Sequence, residues 1–317
     1  MVFKKIRKGH ADWRNFLCST PARDYVFQKD AYEDQIDRAA ENIRNADCVI
    51  IGAGAGASTA AGIQYGGKRF TDNFGEFIEK YGVHYMTDMY AAGFYPYPSE
   101  EAKWGYWSKH ALMNRFDPPA LPLYTKLYDI VKSKEYFVLT TNVDHQFYKA
   151  GFDEKRIFAT QGDYGKIQCQ KACHSKTYDA KELFRKMDEA RKDCLIPSEL
   201  VPKCPVCGGN MAMNLRCDNY FVEDEAWHEA ADRYACFLEQ NKDKKVVLLE
   251  LGVGFNTPVI IKFVFHDAVR KNKSANYICV NLFEAAAPVD IQDRSICISA
   301  DCGRVIEDLL AVKNKNI

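Results

Sequence analysis

Ile50-Ile-Gly-Ala-Gly-Ala-Gly-Ala-Ser58 is the stretch whose reading decides the fold. An apolar strand, Cys48-Val-Ile-Ile51, runs into glycines and then into a small-residue helix, Thr59-Ala-Ala-Gly62. Glycines at such a turn let the backbone approach a pyrophosphate, which rests on the unpaired N–H groups of the helix N-terminus. Gly52-x-Gly54-x-x-Ala57 fits the dinucleotide pattern. A dehydrogenase continues into a second strand ending in Asp or Glu near position 75. Here Gly66-Gly-Lys-Arg-Phe70 interrupts and no apolar strand follows. The turn predicts dinucleotide binding and speaks against a plain dehydrogenase.

Outward from the turn, apolar blocks of strand length alternate with amphipathic blocks of helix length. Tyr32–Ala46 carries Ile36, Ala39, Ala40 and Ile43 on one helical face. Leu121–Lys132 predicts a helix, Tyr136–Thr140 a strand, Asp144–Ala150 a helix and Arg156–Ala159 a strand. Trp227, Ala230, Ala231, Tyr234 and Leu238 mark another helix. A strand at Val246–Leu251, a helix at Pro258–Arg270, a strand at Tyr277–Leu282 and a helix at Gly303–Val312 complete the pattern. Such βα repetition predicts an α/β protein, a Rossmann-like parallel sheet with helices on both faces. Two stretches interrupt it. Residues 65–119 read as an aromatic-rich helical insertion, and 166–215, with paired cysteines, as a small inserted zinc-binding domain. The expected division is an N-terminal helical extension (1–44), a dinucleotide-binding lobe (45–165 and 216–312), the zinc lobe and a tail (313–317).

Composition narrows the function classes. Lys plus Arg and Asp plus Glu are both 43, so the formal net charge is zero. A non-specific nucleic-acid binder needs a surplus of cations to displace counterions, and none is expected here. Aromatic residues make up 13%, which speaks against disorder. The charged start, Met1-Val-Phe-Lys-Lys-Ile-Arg-Lys-Gly-His10, has no apolar segment behind it, so no signal peptide is expected. No apolar run approaches the roughly 18–20 residues of a membrane helix. A cytoplasmic protein without membrane contact is the expectation, and its 12 cysteines then need a role other than disulfides.

Cys169-Gln-Lys-Ala-Cys173 and Cys204-Pro-Val-Cys207-Gly-Gly209 supply that role. Each knuckle places two thiolates on one tetrahedral ion, so Cys169, Cys173, Cys204 and Cys207 are the expected ligands of one structural zinc. Four thiolates close the shell and leave the metal no chemistry; His174 adjoins the first knuckle as a possible substitute. Cysteines 18, 48, 194, 217, 236, 279, 297 and 302 read mostly as small core residues.

Five blocks in order resemble one family, the sirtuins, over roughly residues 45–312. Gly54-Ala-Gly-Ala-Ser58 with Ala61-Gly-Ile63 resembles their Gly-Ala-Gly-x-Ser and Gly-Ile blocks, and Thr140-Thr-Asn-Val-Asp144 their Thr-Gln-Asn-x-Asp block. The knuckles come next, then Glu250-Leu-Gly-Val-Gly-Phe-Asn-Thr257, similar to the Gly-Thr-Ser loop. Cys279-Val-Asn281 and Asp301-Cys302 fall where sirtuins cradle adenosine. The resemblance implies an enzyme that consumes NAD as a substrate, cleaving the nicotinamide–ribose bond. It implies NAD contacts from Ala53, Gly54, Ala55, Gly56, Ser58, Gly62, Ile63, Arg69 and Thr141, and from Gly252, Gly254, Asn256, Thr257, Asn281, Leu282 and Cys302. Asn142, Asp144 and Gln161 are implied both to bind NAD and to act in catalysis. Asp144 on its own would also suit a helix N-cap.

The departures narrow the reading. Deacylating sirtuins carry a His-Gly whose histidine is the general base; here Gln161-Gly162 stands in its place. Glutamine cannot take a proton, although it hydrogen-bonds to ribose. In Gly62-Ile-Gln-Tyr-Gly-Gly-Lys-Arg-Phe70 the Arg69-Phe70 pair is displaced, and Cys217-Asp-Asn-Tyr-Phe221 shows no acyl-lysine groove. These departures resemble the macrodomain-linked class M sirtuins of microbes. That implies mono-ADP-ribosyl transfer to an acceptor protein, a lipoylated carrier similar to the glycine-cleavage H protein, in partnership with a macrodomain hydrolase. The alternatives are an NAD-dependent lysine deacylase and a low-turnover NAD sensor. His145 reads as a capping or surface residue rather than a substitute base, and the aromatic residues between 81 and 107 read as packing, with a lid or partner dock as the other option.

Overall fold

The computed structural model describes residues 24–255 and 258–315. Cys18, Asn256 and Thr257 lie outside them, as does most of the expected N-terminal extension. In chain order the first half comprises β1 (Tyr25–Val26), α1 (Tyr32–Asn45), β2 (Cys48–Ala53), α2 (Ala55–Ala60), α3 (Gly67–Tyr81), α4 (Met89–Gly93), α5 (Glu100–Ala111), α6 (Pro122–Val131) and β3 (Glu135–Thr140). Then follow α7 (Gln146–Lys149), β4 (Ile157–Ala159), β5 (Gly162–Cys169), β6 (Thr177–Asp179), α8 (Lys181–Ala190) and β7 (Met211–Leu215). The chain ends with α9 (Glu225–Asn241), β8 (Val246–Leu251), α10 (Lys262–Lys271), β9 (Asn276–Val280), β10 (Ala287–Pro288), β11 (Ser295–Ile298) and α11 (Cys302–Lys315).

Six strands form one parallel sheet in the order β11-β9-β8-β2-β3-β4. Its central strands are buried along their whole length, as a sheet covered on both faces requires. Side chains alternate between two cores. Val49, Ile51, Val138, Leu249, Ile278 and Ile298 pack with α1, α6 and α11 on one face. Cys48, Ile50, Phe137, Leu248, Tyr277 and Cys297 pack with α9 and α10 on the other. From β2 the chain winds outward to β3 and β4, then returns to the other side of β2 as β8 and β9. The order reverses between β2 and β8, and in such sheets ligands bind outside the carboxyl ends of the strands at that point.

Several expectations change in detail. Helix α1 is part of the sheet's covering layer, with Ile36, Ala39 and Ile43 in the core and Gln35 Nε2 donating to the Cys297 carbonyl at 2.9 Å. The expected helix at 144–150 shrinks to Gln146–Lys149 because His145 takes a left-handed backbone, φ 64°. Strand β9 stops at Val280, where Asn281 turns the chain.

The aromatic segment also sits differently. Phe70, Phe74, Phe77, Trp104, Tyr106 and Trp107 share one core with Ile167, Cys169, Phe184 and Met187 of the cysteine-bearing segment. Residues 65–119 therefore build the small lobe around the antiparallel sheet β6-β5-β7 and are not an outgrowth of the large one. Packing accounts for most of these rings, while Tyr85, Tyr90 and Phe94 are exposed. Five of the other cysteines (48, 194, 279, 297 and 302) are buried, but Cys217 and Cys236 are exposed and belong to no core.

Candidate active site

The carboxyl ends of β2, β3, β4, β8 and β9 bring together most residues singled out in the sequence. On one side two loops cross backbone to backbone. A Cβ on Gly56 would lie 2.7 Å from the Gly252 Cα, and one on Gly252, at φ +61°, 2.3 Å from the Ala57 nitrogen. The Gly54 N–H donates to the Leu251 carbonyl at 3.0 Å, and the Gly56 N–H to the Gly252 carbonyl at 2.9 Å. These glycines serve the contact between the two loops, a demand the sequence pattern does not reveal. Gly254 lies against Glu284, whose Oε2 accepts from the Phe255 N–H at 3.0 Å. Asn281 Nδ2 donates to the Val253 carbonyl at 3.2 Å and ties the next strand end to the same loop. Leu282 is half exposed beside it, and Cys302 is buried at the start of α11.

Below this crossing lies a buried ion pair. Lys262 Nζ is 2.5 Å from Glu250 Oε1, with both side chains fully buried, and the Phe255 ring covers the ammonium at 5.0 Å. Glu250 is the penultimate residue of β8 and Lys262 begins α10, so the pair clamps the root of the loop that starts at Gly252.

On the other side the strand ends carry polar side chains. Asn142 Nδ2 donates to the Gly54 carbonyl at 3.0 Å, and the Thr141 N–H to the Ala53 carbonyl at 3.1 Å. Ser58 Oγ donates to Asp144 Oδ2 at 2.5 Å and lies 3.1 Å from the Tyr124 hydroxyl. Asp144 also accepts from the Gln146 N–H, and is only 3% exposed. Burial pushes its carboxyl above the ordinary range, opposed by the Ser58 and Gln146 hydrogen bonds. Asp144 is not the N-cap, a position His145 occupies; one oxygen accepts locally from the Gln146 N–H and the second faces Ser58 across 86 residues of chain. Gln161 carries a buried Oε1 with no hydrogen-bond partner. Buried acceptors are almost always satisfied, and Gln161 Oε1 is one of eight unpartnered buried side-chain atoms among the described residues.

Arg69 makes its hydrogen bonds elsewhere. Its guanidinium donates to the Gln64 carbonyl at 2.9 Å, to Asn114 Oδ1 at 2.8 Å and to the Met113 carbonyl at 3.3 Å. Gly62 (φ +101°) and buried Ile63 form the turn leading towards it. Sequence reasoning missed Tyr124, which carries no motif and reaches Ser58 only through the fold. It also missed what His145 does. That side chain makes no cap; its Nδ1 lies 2.8 Å from Asp163 Oδ2, and Asp163 is held by Arg115 Nε at 2.9 Å.

The cysteine knuckles do converge. A tetrahedral zinc with bonds of about 2.3 Å spaces its sulfurs about 3.8 Å apart. Cys169 and Cys207 are 3.7 Å apart, Cys173 and Cys204 3.6 Å, and all four sulfurs lie within 4.8 Å of one another. This donor set fits zinc and could bind it with a closed shell. His174 Nδ1 is 3.1 Å from Cys173 Sγ, while its Nε2 is 2.8 Å from the Tyr178 hydroxyl.

No family model matches the chain. A protein ADP-ribosyltransferase of Staphylococcus aureus is 39% identical over 293 residues, covering 90% of this chain and 92% of that protein. A probable bifunctional ADP-ribose hydrolase/ADP-ribosyltransferase of Fusarium oxysporum is 30% identical, covering 88% of this chain but only 48% of its own length. An NAD-dependent protein deacetylase of Clostridium perfringens is 28% identical over 56% of this chain. Among solved structures, a Sir2 enzyme matches with a TM-score of 0.54 at 18% identity, covering 90% of this chain and all of that one, and a Sir2–p53 peptide–NAD complex with 0.53 at 16%, covering 88% and 99%. These structures share the sirtuin fold, and the Staphylococcus relative carries the narrower assignment: the chain belongs to the sirtuin-family protein ADP-ribosyltransferases, enzymes that act on NAD.

Proposed function

We propose that the chain transfers a single ADP-ribose from NAD to an acceptor protein, releasing nicotinamide, and that the acceptor is a lipoylated carrier similar to the glycine-cleavage H protein. The observation that carries the reading is Gln161. Its orphaned buried Oε1 belongs to a residue just past the end of β4, the neighbour of the strand that leads to Asn142 and Asp144, and suits a ribose hydroxyl as the missing donor. In this reading NAD lies across the strand ends. Its adenosine half is held by Gly252, Gly254, Asn281, Leu282 and Cys302, its pyrophosphate by the Gly54–Ser58 turn, and its nicotinamide ribose by Asn142, Asp144 and Gln161.

Loss of nicotinamide leaves an oxocarbenium-like ribose, which prearranged dipoles and the Asp144 carboxyl stabilise. An acceptor side chain that is already ionised then attacks C1′ without needing a base at position 161. Zinc on the four cysteines is architectural and takes no part in the reaction. The Fusarium relative joins hydrolase and transferase in one protein by its description, which supports a working partnership with a macrodomain hydrolase that removes the modification. No described helix is long and apolar enough to cross a membrane, in keeping with the proposed cytoplasmic location.

The test is incubation with labelled NAD and purified carrier, with and without lipoate, followed by intact mass. A gain of one ADP-ribose on the lipoylated form is the expected result. Nicotinamide release that instead requires an acyl-lysine peptide and yields O-acyl-ADP-ribose would replace this reading with deacylation. Tight NAD binding without turnover under every acceptor condition would make the protein a sensor.

A further inference from the structure

His145 is held in a way that neither capping nor plain surface exposure accounts for. It follows Asp144 directly and takes a left-handed backbone that L side chains seldom adopt. Its ring stacks on Tyr148, with centroids 4.1 Å apart, and its Nδ1 lies 2.8 Å from Asp163 Oδ2. Asp163 is fixed in turn by Arg115 Nε at 2.9 Å and by the Gly165 N–H at 2.6 Å. Burial pushes the Asp163 carboxyl up, but the His145 hydrogen bond and the Arg115 charge outweigh it and hold it at about 2. An ionised carboxylate only accepts hydrogen bonds, so Nδ1 is the donor and neutral His145 carries its lone pair on Nε2. Among the described residues Nε2 has no protein partner. The ring, with a quarter of the side chain exposed, lines one cleft with Asn142, Asp144, Gly162 and Asp163 at the ends of β3 and β4.

We propose that His145, oriented by Asp163, is a catalytic residue that accepts a hydrogen bond from the hydroxyl beside C1′ of the nicotinamide ribose as nicotinamide leaves. This rests on the placement of that ribose at Asn142 and Gln161 in the transferase reading. The C1′–N bond breaks and its electron pair goes to nicotinamide, which departs neutral. The neighbouring hydroxyl shifts its proton towards Nε2, and the electron density gained on that oxygen stabilises the positive charge at C1′. Asp163 stabilises the transient imidazolium. Once the acceptor bonds to C1′ the proton returns, so the ring begins and ends neutral. Gln161 thus orients the ribose while the proton-accepting role sits one strand end away.

The experiment compares nicotinamide release by the full chain from NAD and from NAD lacking the 2′-hydroxyl on its nicotinamide ribose. The variant is His145→Gly, which suits the left-handed backbone and keeps the turn. With NAD, release should slow about 10²-fold or more while KM changes little, and added imidazole should restore part of the rate. With the deoxy substrate, wild type and variant should release nicotinamide equally. The charged and titratable groups around the ring are Asp163, Arg115, Asp144, Tyr148 and Lys149, with Glu154 and Arg233 beyond Tyr148. Asp163→Asn should slow release in the same substrate-dependent way.

Equal slowing with both substrates, no slowing at all, or loss of NAD affinity in step with rate would each overturn the proposal. Protein labelling is read separately. A wild type that releases nicotinamide but labels no acceptor overturns the transferase reading alone, and a variant that labels at the wild-type rate overturns the role of His145 alone.

Discussion

The two halves of the candidate site are built on opposite principles. Around Gly252 the material is backbone: Gly54, Gly56 and Gly252 interlock so closely that no Cβ fits, and the loop root rests on the buried Glu250–Lys262 pair. Around Asn142 the material is side chain: Asp144, Gln161 and the His145–Asp163 pair sit at strand ends, where Gln161 Oε1 lacks a partner as Glu250 Oε2 does under the other half. A backbone crossing is rigid and tolerates no substitution, whereas unsatisfied polar atoms cost stability in the free protein and await a ligand. The first half suits holding a ligand and the second suits changing one.

The small lobe sharpens this contrast, because β5 starts at Gly162, beside Gln161, and ends at Cys169 in the knuckle. Keeping metal from the four cysteines should therefore disturb the side-chain half first. Structural zinc contributes on the order of 10 kcal/mol in modules with little other core. Here the shared aromatic core offsets part of that loss. Cys204→Ser should lower the melting temperature and abolish transfer while NAD binding declines less, as followed by calorimetry and ligand titration. A variant that folds normally without metal and keeps full activity would show the knuckle to be dispensable.

Gly252→Ala attacks the other half. Its Cβ would meet the Ala57 nitrogen at 2.3 Å, from a backbone at φ +61°. Overpacking and left-handed strain each contribute about 1–3 kcal/mol, for a total of about 2–6 kcal/mol. Stability and NAD affinity should fall together, measured by denaturant unfolding and binding. Loss of activity with both of these intact would contradict the division between the halves.

Within the side-chain half, Gln161 and Asn142 should separate. Gln161 Oε1 bonds to nothing in the protein, so Gln161→Ala should leave stability within about 0.5 kcal/mol of wild type. Transfer should nevertheless drop about tenfold or more, since a buried hydrogen bond to ribose is worth roughly 1–3 kcal/mol. Asn142→Ala should lose both, because its amide also ties β3 to the Gly54 carbonyl. Parallel stability and rate measurements on the two variants decide the matter.

How much of this was legible beforehand follows the same contrast. The sheet was readable because fully buried strands leave continuous apolar runs, as in Val246–Leu251. The knuckles were readable because metal ligation fixes both residue type and spacing. The glycine motif marks the end of β2, yet its steric reason, the contact with Gly252, spans nearly 200 residues and has no local signal. The aromatic density of residues 65–119 shows that they pack without showing against what, and only the fold puts them in one core with the cysteine-bearing segment. The surroundings of His145 are hidden from the sequence for a related reason. Its partner lies 18 positions on, and the left-handed turn that aims the ring falls on a residue type with no strong demand for it.

The smallest expected effect tests whether Asp163 belongs to the side-chain half as an ionised group. Its folded carboxyl titrates at about 2, below the ordinary value of 3.8, and its side chain is 17% exposed. A depressed carboxyl stabilises the fold above its unfolded value and loses that contribution as pH falls towards the folded one. The difference corresponds to about 2 kcal/mol. Asp163→Asn should thus be about 2 kcal/mol less stable than wild type at pH 7. The gap should narrow between pH 4 and pH 2. Any loss of metal from the cysteines in acid would affect both proteins, so the difference between them, not either curve alone, carries the result. A gap that stays constant across that range would mean that Asp163 contributes through shape and neutral hydrogen bonds, and the His145 ring would then lack the charge that orients it.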